Sequence, residues 1–266
     1  MKKHRIIDSH CHIYPDKIAE KASAGTADFY KMPSLFDGKI STLLSRGKAA
    51  GIEHFIVQSV ATTPKQVSSI NHFIADSVKN SHGQFTGLGT LHPDSDNVEA
   101  EIQEIIELGL KGVKLHPDIQ RFKIDDPRMF KIYELCEGRL PILMHTGDHR
   151  FDFSNPNRMM PVLEKFQDLT VIGAHFGGWS VWDDAIKTLS QYKNFLVDCS
   201  SSFYAMSPQK AKEFILAYGT HRVLFGTDYP MWEIGTEIQR FMRIELSEEE
   251  REDILYNNAA KLFLNK

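Results

Sequence analysis

Short apolar segments alternate with amphipathic segments along the sequence. The eight apolar segments are rich in Val, Ile, Leu or Phe, and each has about the length of a β-strand. Most are apolar almost throughout, which is typical of strands buried on both faces of a parallel sheet. The predicted strands are 5–9, 54–59, 85–91, 112–115, 141–144, 170–174, 195–199 and 222–226.

Helical patterns with clear terminal residues fill the gaps between these strands. Asn97, Asp126 and Ser207 each stand before an amphipathic segment, where a short polar side chain can cap the first turn. Ser247 and Glu250 have the spacing of a capping box at the start of the last helix. Further helical patterns lie at 39–50, 63–80, 159–166 and 180–191.

This alternation predicts a (β/α)8 TIM barrel formed by a single domain, 1–266. The chain has 266 residues, a size typical of one large barrel, although two small domains would also fit. An open doubly wound sheet is the alternative, and it is disfavoured because no glycine-rich phosphate loop follows the first strand. The segment 13–38 is predicted as a long loop after the first strand that acts as a lid.

Composition and charge narrow the expected partners and location. Hydrophobic residues make up 42% and charged residues 25%, which indicates a soluble globular protein. The net charge of -4 gives no basic excess for nucleic acid, and no apolar run is long enough for a membrane helix or signal peptide. Three cysteines without a CxxC motif fit the cytoplasm. We therefore expect a small-molecule substrate. The sequence leaves open whether the protein forms a homo-oligomer.

Histidine and aspartate side chains gather at the carboxyl ends of four predicted strands. They are His10 and His12 at the first strand, His145 and His175 at the fifth and sixth, and Asp228 at the last. In a barrel those ends face one mouth, where active sites form. Nitrogen and carboxylate ligands suit zinc, and also manganese or iron, so the pattern predicts a metal centre.

The His10-Cys11-His12 motif contributes two residues of this set. Residues two apart on an extended chain face the same side, so both imidazoles can reach one ion. Asp8 shares that side and is expected to support the site, whereas Cys11 points away and is interpreted as packing. An HxH motif alone is weak, because two polar residues that enter a surface loop would give the same pattern.

Five ordered motifs resemble the amidohydrolase superfamily of metal-dependent (β/α)8 enzymes. The similarity is to its amidohydrolase-related branch, which includes aminocarboxymuconate semialdehyde decarboxylase and resorcylate decarboxylases. The motifs span nearly the whole chain and are specific for the family, but not for one substrate. They are IDSHCH at 7–12, GVKLHP at 112–117, MHTG at 144–147, GAHFGG at 173–178 and FGTDYP at 225–230.

The resemblance implies a role for each strand-end residue. His10, His12, His145 and Asp228 would bind one divalent metal, with zinc expected and manganese as the alternative. Asp228 would also handle a proton. His175 would polarise the substrate or move protons, and in two-metal members the corresponding residue binds a second ion.

Other residues near these motifs are candidates for supporting or substrate-binding roles, on weaker grounds. Lys114 is interpreted as a buried support for a carboxylate, with a bridge between two ions as the alternative. His116 is a candidate to contact the substrate. Arg150 and Arg158 are candidates to bind a substrate carboxylate, although solvated loop charges are common. Trp179 is a candidate wall of the pocket.

Three functions follow as hypotheses from this set. The first is metal-dependent hydrolysis of a small amide, ester or lactone by metal-activated water. The second is metal-dependent, non-oxidative decarboxylation of an aromatic or muconate-like acid. The third is a catalytically silent metal-binding barrel, which the intact ligand set disfavours. The motifs alone do not separate the first two.

Overall fold

A computed structural model describes residues 4–264 of the chain. Within these residues the chain divides into two compact units. The first unit contains 4–58, 82–86 and 199–264, and the second contains 59–81 and 87–198. Because these stretches alternate along the sequence, the division does not follow one boundary in the chain. The expectation of a single domain over 1–266 stays a prediction.

Nine β-strands form within the described residues. Every predicted apolar segment contains a strand, but the segment 85–91 contains two short strands separated by Leu88. The first strand also extends further than predicted and includes both histidines of the HxH motif. The strands are β1 (Ile7–His12), β2 (His54–Gln58), β3 (Phe85–Gly87), β4 (Gly89–Thr90), β5 (Val113–Leu115), β6 (Ile142–Met144), β7 (Val171–Gly173), β8 (Phe195–Asp198) and β9 (Val223–Leu224).

The first unit is organised around β1, which pairs in parallel with β2. The segment that follows β9 also runs beside β1: the Asp228 N–H donates to the His10 carbonyl, and the His12 N–H donates to the Tyr229 carbonyl. Gly226 permits this close approach, since a Cβ there would lie 2.9 Å from the Cβ of His10. The backbone thus brings Asp228 next to the two histidines of β1.

The second unit is built on β4 to β8, which are neighbours in sequence order. β5, β6, β7 and β8 are all parallel, and one row of the ladder contains Val113, Ile142, Val171 and Phe195. These four side chains are fully buried, as expected for strands covered on both faces. The parallel order places the carboxyl ends of these strands at one edge of the unit.

The helices form where capping residues and amphipathic patterns predict them. The side chains of Asn97, Asp126, Ser207 and Ser247 each accept a hydrogen bond from the first turn of a helix, and Glu250 completes the capping box. The helices are α1 (Asp16–Tyr30), α2 (Ile40–Ala50), α3 (Val67–Lys79), α4 (Val98–Glu107), α5 (Pro117–Gln120), α6 (Pro127–Cys136), α7 (Met160–Lys165), α8 (Trp182–Leu189), α9 (Pro208–Tyr218), α10 (Ile234–Met242), α11 (Glu248–Glu252) and α12 (Asn258–Phe263), with a π-helical segment, Asp253–Asn257, between the last two.

The prediction that 13–38 is a long loop is wrong, because 15 of its residues form α1. This helix buries only Ala19 and Ser23, so it lacks the apolar stripe by which a helix is recognised in sequence. Ser23 instead anchors it with polar contacts, since its hydroxyl donates to the Phe36 carbonyl at 2.7 Å. The action of this segment as a lid stays a prediction.

None of the helices in 4–264 has both the length and the apolar character needed to span a bilayer. The cytoplasmic location, the absence of a nucleic-acid partner and the oligomeric state all stay predictions.

Candidate metal centre

Three ligand-type side chains of the first unit converge at the end of β1. The Nε2 atoms of His10 and His12 lie 3.2 Å apart. Oδ1 of Asp228 is 3.4 Å from the first of these atoms and 3.6 Å from the second. The side chain of His10 is buried, while those of His12 and Asp228 are 14% and 13% exposed. The group is therefore mostly buried, and small parts of His12 and Asp228 reach solvent.

The spacing of this group fits a divalent ion. Two ligand atoms that are each about 2.0–2.1 Å from a tetrahedral zinc ion lie about 3.3 Å apart. The three distances in the group, 3.2, 3.4 and 3.6 Å, bracket that value. Two imidazole nitrogens and one carboxylate oxygen also form a donor set that zinc and manganese both accept.

The Ser200 hydroxyl and the buried Asp8 carboxylate form hydrogen bonds with His10. Nδ1 of His10 lies 3.1 Å from the Ser200 hydroxyl, which leaves Nε2 on the side of His12. Asp8 accepts the backbone N–H groups of His10 and Thr227, and also the Thr227 hydroxyl. Burial raises the pKa of Asp8 to about 6, although these hydrogen bonds oppose the shift. Asp8 thus contacts the backbone of His10, and its support of a metal site stays a prediction.

A second group of ligand-type side chains lies in the second unit, after β5 and β6. His116, Asp118 and His145 are all buried and have ligand atoms within 4.8 Å of one another. The rings of His116 and His145 stack with centroids 4.0 Å apart and an angle of 6°. Oδ2 of Asp118 lies 3.6 Å from Nε2 of His145 and accepts the Ser154 hydroxyl. Burial raises the pKa of Asp118 to about 7.

His175 lies beside this second group. Its ring meets that of His145 edge-on, with centroids 5.0 Å apart. Its backbone φ is +60°, and its N–H donates to a carboxylate oxygen of Asp198 while its carbonyl accepts the Trp182 indole N–H. A non-glycine residue in the left-handed region, fixed by hydrogen bonds on both sides, is typical of functional sites.

The remaining predicted residues occupy different environments in the second unit. Arg150 forms an ion pair with Asp148 and lies 5.7 Å from the Trp179 ring. Arg158 pairs with Asp125. Lys114 is almost fully buried. The substrate-binding roles of Arg150, Arg158, Trp179 and His116, and the supporting role of Lys114, stay predictions.

The structure thus brings His10, His12 and Asp228 together in the first unit, and His116, His145 and His175 together in the second. Membership of His145 in one metal site with the first three residues stays a prediction. So do the catalytic roles of Asp228 and His175.

Sequence reasoning missed several polar residues at strand ends. Asp118 belongs to a Leu-His-Pro-Asp motif at 115–118 that repeats the one at 91–94, and this repeat at the ends of β4 and β5 would have pointed to it. Ser201 donates a hydrogen bond to Asp228. Trp232 donates to the Ser201 hydroxyl and so reaches Asp228 through Ser201. Ser201 follows the strand predicted at 195–199, but serine is too common after strands for its position alone to indicate a site.

The sequence as a whole matches the amidohydrolase family model over residues 7–264. The chain belongs to the amidohydrolase family. The match covers the five motifs that suggested this family, and it identifies the chain as a member of an enzyme superfamily. The predicted family is therefore confirmed.

Solved structures of low sequence identity show the fold. The chain superposes on an uncharacterised TIM-barrel protein from Bordetella bronchiseptica with a TM-score of 0.79 and 24% identity, covering 97% of this chain and 98% of that one. A dihydroxybenzoic acid decarboxylase from Polaromonas sp. JS666, solved with manganese and the inhibitor 2-nitroresorcinol, gives 0.76 and 19%, with coverage of 99% and 98%. Further decarboxylases of aromatic acids give TM-scores of 0.73 to 0.78. The predicted (β/α)8 barrel fold is confirmed.

One curated relative is similar over a short region. A 2-amino-3-carboxymuconate-6-semialdehyde decarboxylase from Dictyostelium discoideum is 35% identical over 72 residues, which are 26% of this chain. The chain spans only about a fifth of that relative's length, 20%. The hydrolase that the sequence analysis placed first is not confirmed, and neither is zinc as the metal.

Proposed function

We propose that this amidohydrolase-family enzyme is a metal-dependent, non-oxidative decarboxylase of an aromatic or muconate-like acid. The observation that carries the proposal is the convergence of His10, His12 and Asp228 within 3.2–3.6 Å, in a fold shared with decarboxylases of aromatic acids. Such a group fits a divalent ion. Manganese in the Polaromonas decarboxylase makes it the first ion to test, with zinc as the alternative.

The reaction needs little from the protein beyond binding and one proton. The bond between the ring carbon and the carboxylate breaks, carbon dioxide leaves, and the electron pair stays on the ring carbon, which then takes a proton. No oxidant or reductant takes part. A divalent ion in such a centre withdraws electron density from the oxygen atoms that it binds.

Residues of the chain are proposed to orient the ring and to supply the proton. Trp232 and Tyr204 stack with centroids 4.8 Å apart and are both half-buried, so this aromatic pair is proposed to border a planar substrate near Asp228. Asp228 and His175 are the groups to which we assign movement of the proton. The two imidazoles of β1 are assigned to holding the ion and orienting the substrate oxygens.

The direct test is product analysis with manganese-loaded protein. We expect 2,6-dihydroxybenzoate or a related carboxylated phenol to release one carbon dioxide for each acid consumed. In D2O, deuterium should enter the ring at the position that lost the carboxylate. Because His12 is a proposed ligand, His12→Ala should lower this rate by at least about 100-fold, while His72→Ala, an exposed change on α3, should not.

Different outcomes separate the competing functions. Incorporation of 18O from labelled water into a lactone or amide panel, without release of carbon dioxide from any acid, would contradict the proposal and support the hydrolase. Absence of both reactions in metal-loaded protein would support the silent metal-binding barrel.

A further inference from the structure

We propose that Ser201 and Trp232 form a directed hydrogen-bond relay that fixes the Asp228 carboxylate as a ligand through one oxygen. Both are positioning residues, because they act through Asp228. The inference rests on the metal centre of the proposed function and adds two residues that none of the family motifs contains.

The direction of the relay follows from the chemistry of its members. An indole N–H only donates, so Trp232 Nε1 donates to the Ser201 hydroxyl oxygen at 2.7 Å. The single hydroxyl hydrogen of Ser201 is then left for Oδ2 of Asp228, at 2.5 Å. Such a hydroxyl forms a charge-assisted hydrogen bond when the carboxylate is ionised.

The relay assigns different tasks to the two carboxylate oxygens. Oδ2 accepts from Ser201, while Oδ1 is the oxygen 3.4 Å and 3.6 Å from the two Nε2 atoms of His10 and His12. Binding of the ion through both oxygens would compete with the bond from Ser201 for Oδ2. The relay therefore favours binding through Oδ1 alone.

The backbone on both sides of the relay is strained. Ser201 has a φ of +46° and Asp228 a φ of +61°, and neither is a glycine. A left-handed backbone conformation costs free energy in a residue other than glycine. Such residues cluster at functional sites, where the surrounding structure maintains this conformation. Here the two strained residues are joined by their own side chains, which indicates that their relative position matters.

The far end of the relay is held by packing. The Trp232 indole stacks on Tyr204 at an angle of 19°, and the guanidinium of Arg240 lies 5.6 Å from the indole centroid. Arg240 is itself fixed by an ion pair with the buried Glu237. The indole N–H is thus held in a defined position from which it polarises the Ser201 hydroxyl.

The test measures manganese affinity in the absence of substrate. Residues that orient a metal ligand typically contribute 10- to 100-fold to metal affinity. Ser201→Ala should raise the Kd for Mn²⁺ by that factor, and Trp232→Phe, which keeps an aromatic ring but removes the donor, should raise it about 3- to 10-fold. Ser77→Ala is the matched control, because this buried hydroxyl on α3 donates to the Phe73 carbonyl of the same helix and should leave the Kd unchanged.

A double variant tests the relay itself. Because Trp232 acts through Ser201, Ser201→Ala with Trp232→Phe should bind Mn²⁺ as weakly as Ser201→Ala alone. Thermal unfolding of the metal-free variants reports folding separately. If Ser201→Ala fails to fold, comparison of the Mn²⁺ Kd of Trp232→Phe with that of Ser77→Ala decides.

Two results would overturn the relay. A folded Ser201→Ala protein with a Kd within twofold of the wild type would do so, and so would additive losses in the double variant. If the wild type binds Mn²⁺ normally, either result contradicts the relay and leaves the proposed function intact. If the wild type fails to bind Mn²⁺, the relay and the proposed function are both contradicted.

Discussion

The buried carboxyl group of Glu237 shows how burial changes a pKa in this protein. Glu237 on α10 is almost fully buried and pairs with Arg240, yet burial raises its pKa to about 7. The folded protein therefore binds the proton of this carboxyl group more tightly than the unfolded chain does, for which the ordinary value is 4.5. Ion pairing offsets only part of the cost of desolvation.

This shift predicts a pH dependence of stability. Between about pH 4.5 and pH 7 the folded state holds the Glu237 proton that the unfolded state releases, so the contribution of Glu237 to the free energy of unfolding falls as pH rises, by as much as about 3 kcal/mol. Glu237→Gln cannot ionise and removes this slope. Urea unfolding at several pH values measures it, with the exposed Glu99→Gln as the control. Parallel curves for wild type and Glu237→Gln would contradict the assignment.

Single residues of the site were predictable only where their chemistry stands out. His10, His12 and Asp228 combine a metal-binding side chain with a place near the end of an apolar strand, and the structure brings the three together. Ser201 has an ordinary side chain, and its importance comes from Asp228, 27 positions away in sequence. Contacts of that kind depend on the fold, and the sequence pattern does not reveal them.

Whole elements were predictable where burial or capping leaves a regular pattern. The parallel strands are short and buried, so their apolar runs stand out, and the caps of α4, α6 and α9 mark where those helices begin. α1 carries polar residues and alanines on most of its surface, so its sequence pattern predicts a loop. α10 starts after Glu233 and was also missed, because its short segment follows a functional motif directly.

Two helical glycines give opposite predictions for stability. In α1, a Cβ at Gly25 would meet nothing within 4 Å, so Gly25→Ala should stabilise the protein by about 0.5–1 kcal/mol through lower backbone entropy. In α2, a Cβ at Gly47 would lie 2.1 Å from the Phe55 ring, so Gly47→Ala should destabilise it by about 1–3 kcal/mol. Urea unfolding at constant m-value measures both. If both substitutions changed the free energy of unfolding by the same amount in the same direction, the packing described for these two helices would be wrong.

At the scale of the whole molecule, the family and the fold are established, while the reaction and the metal centre are proposals. The match over 7–264 and the superpositions show an amidohydrolase-family barrel. Barrels of one family host different chemistries, so the fold alone does not select decarboxylation. The sequence motifs predicted the family because they include ligand residues and the glycines around them. They did not predict the reaction, because hydrolysis and decarboxylation were expected to use the same ligands.

The most direct test of the account is the metal content of the protein after removal of metal and reloading with manganese. Elemental mass spectrometry of wild type, His10→Ala, His12→Ala and Asp228→Ala, with His72→Ala as the control, gives the number of ions per chain. We predict about one tightly bound ion in the wild type and the control, and loss of that ion in the other three variants, since each lacks one ligand of the centre. Retention of the ion at wild-type affinity in all three variants would contradict the metal centre and the mechanism built on it.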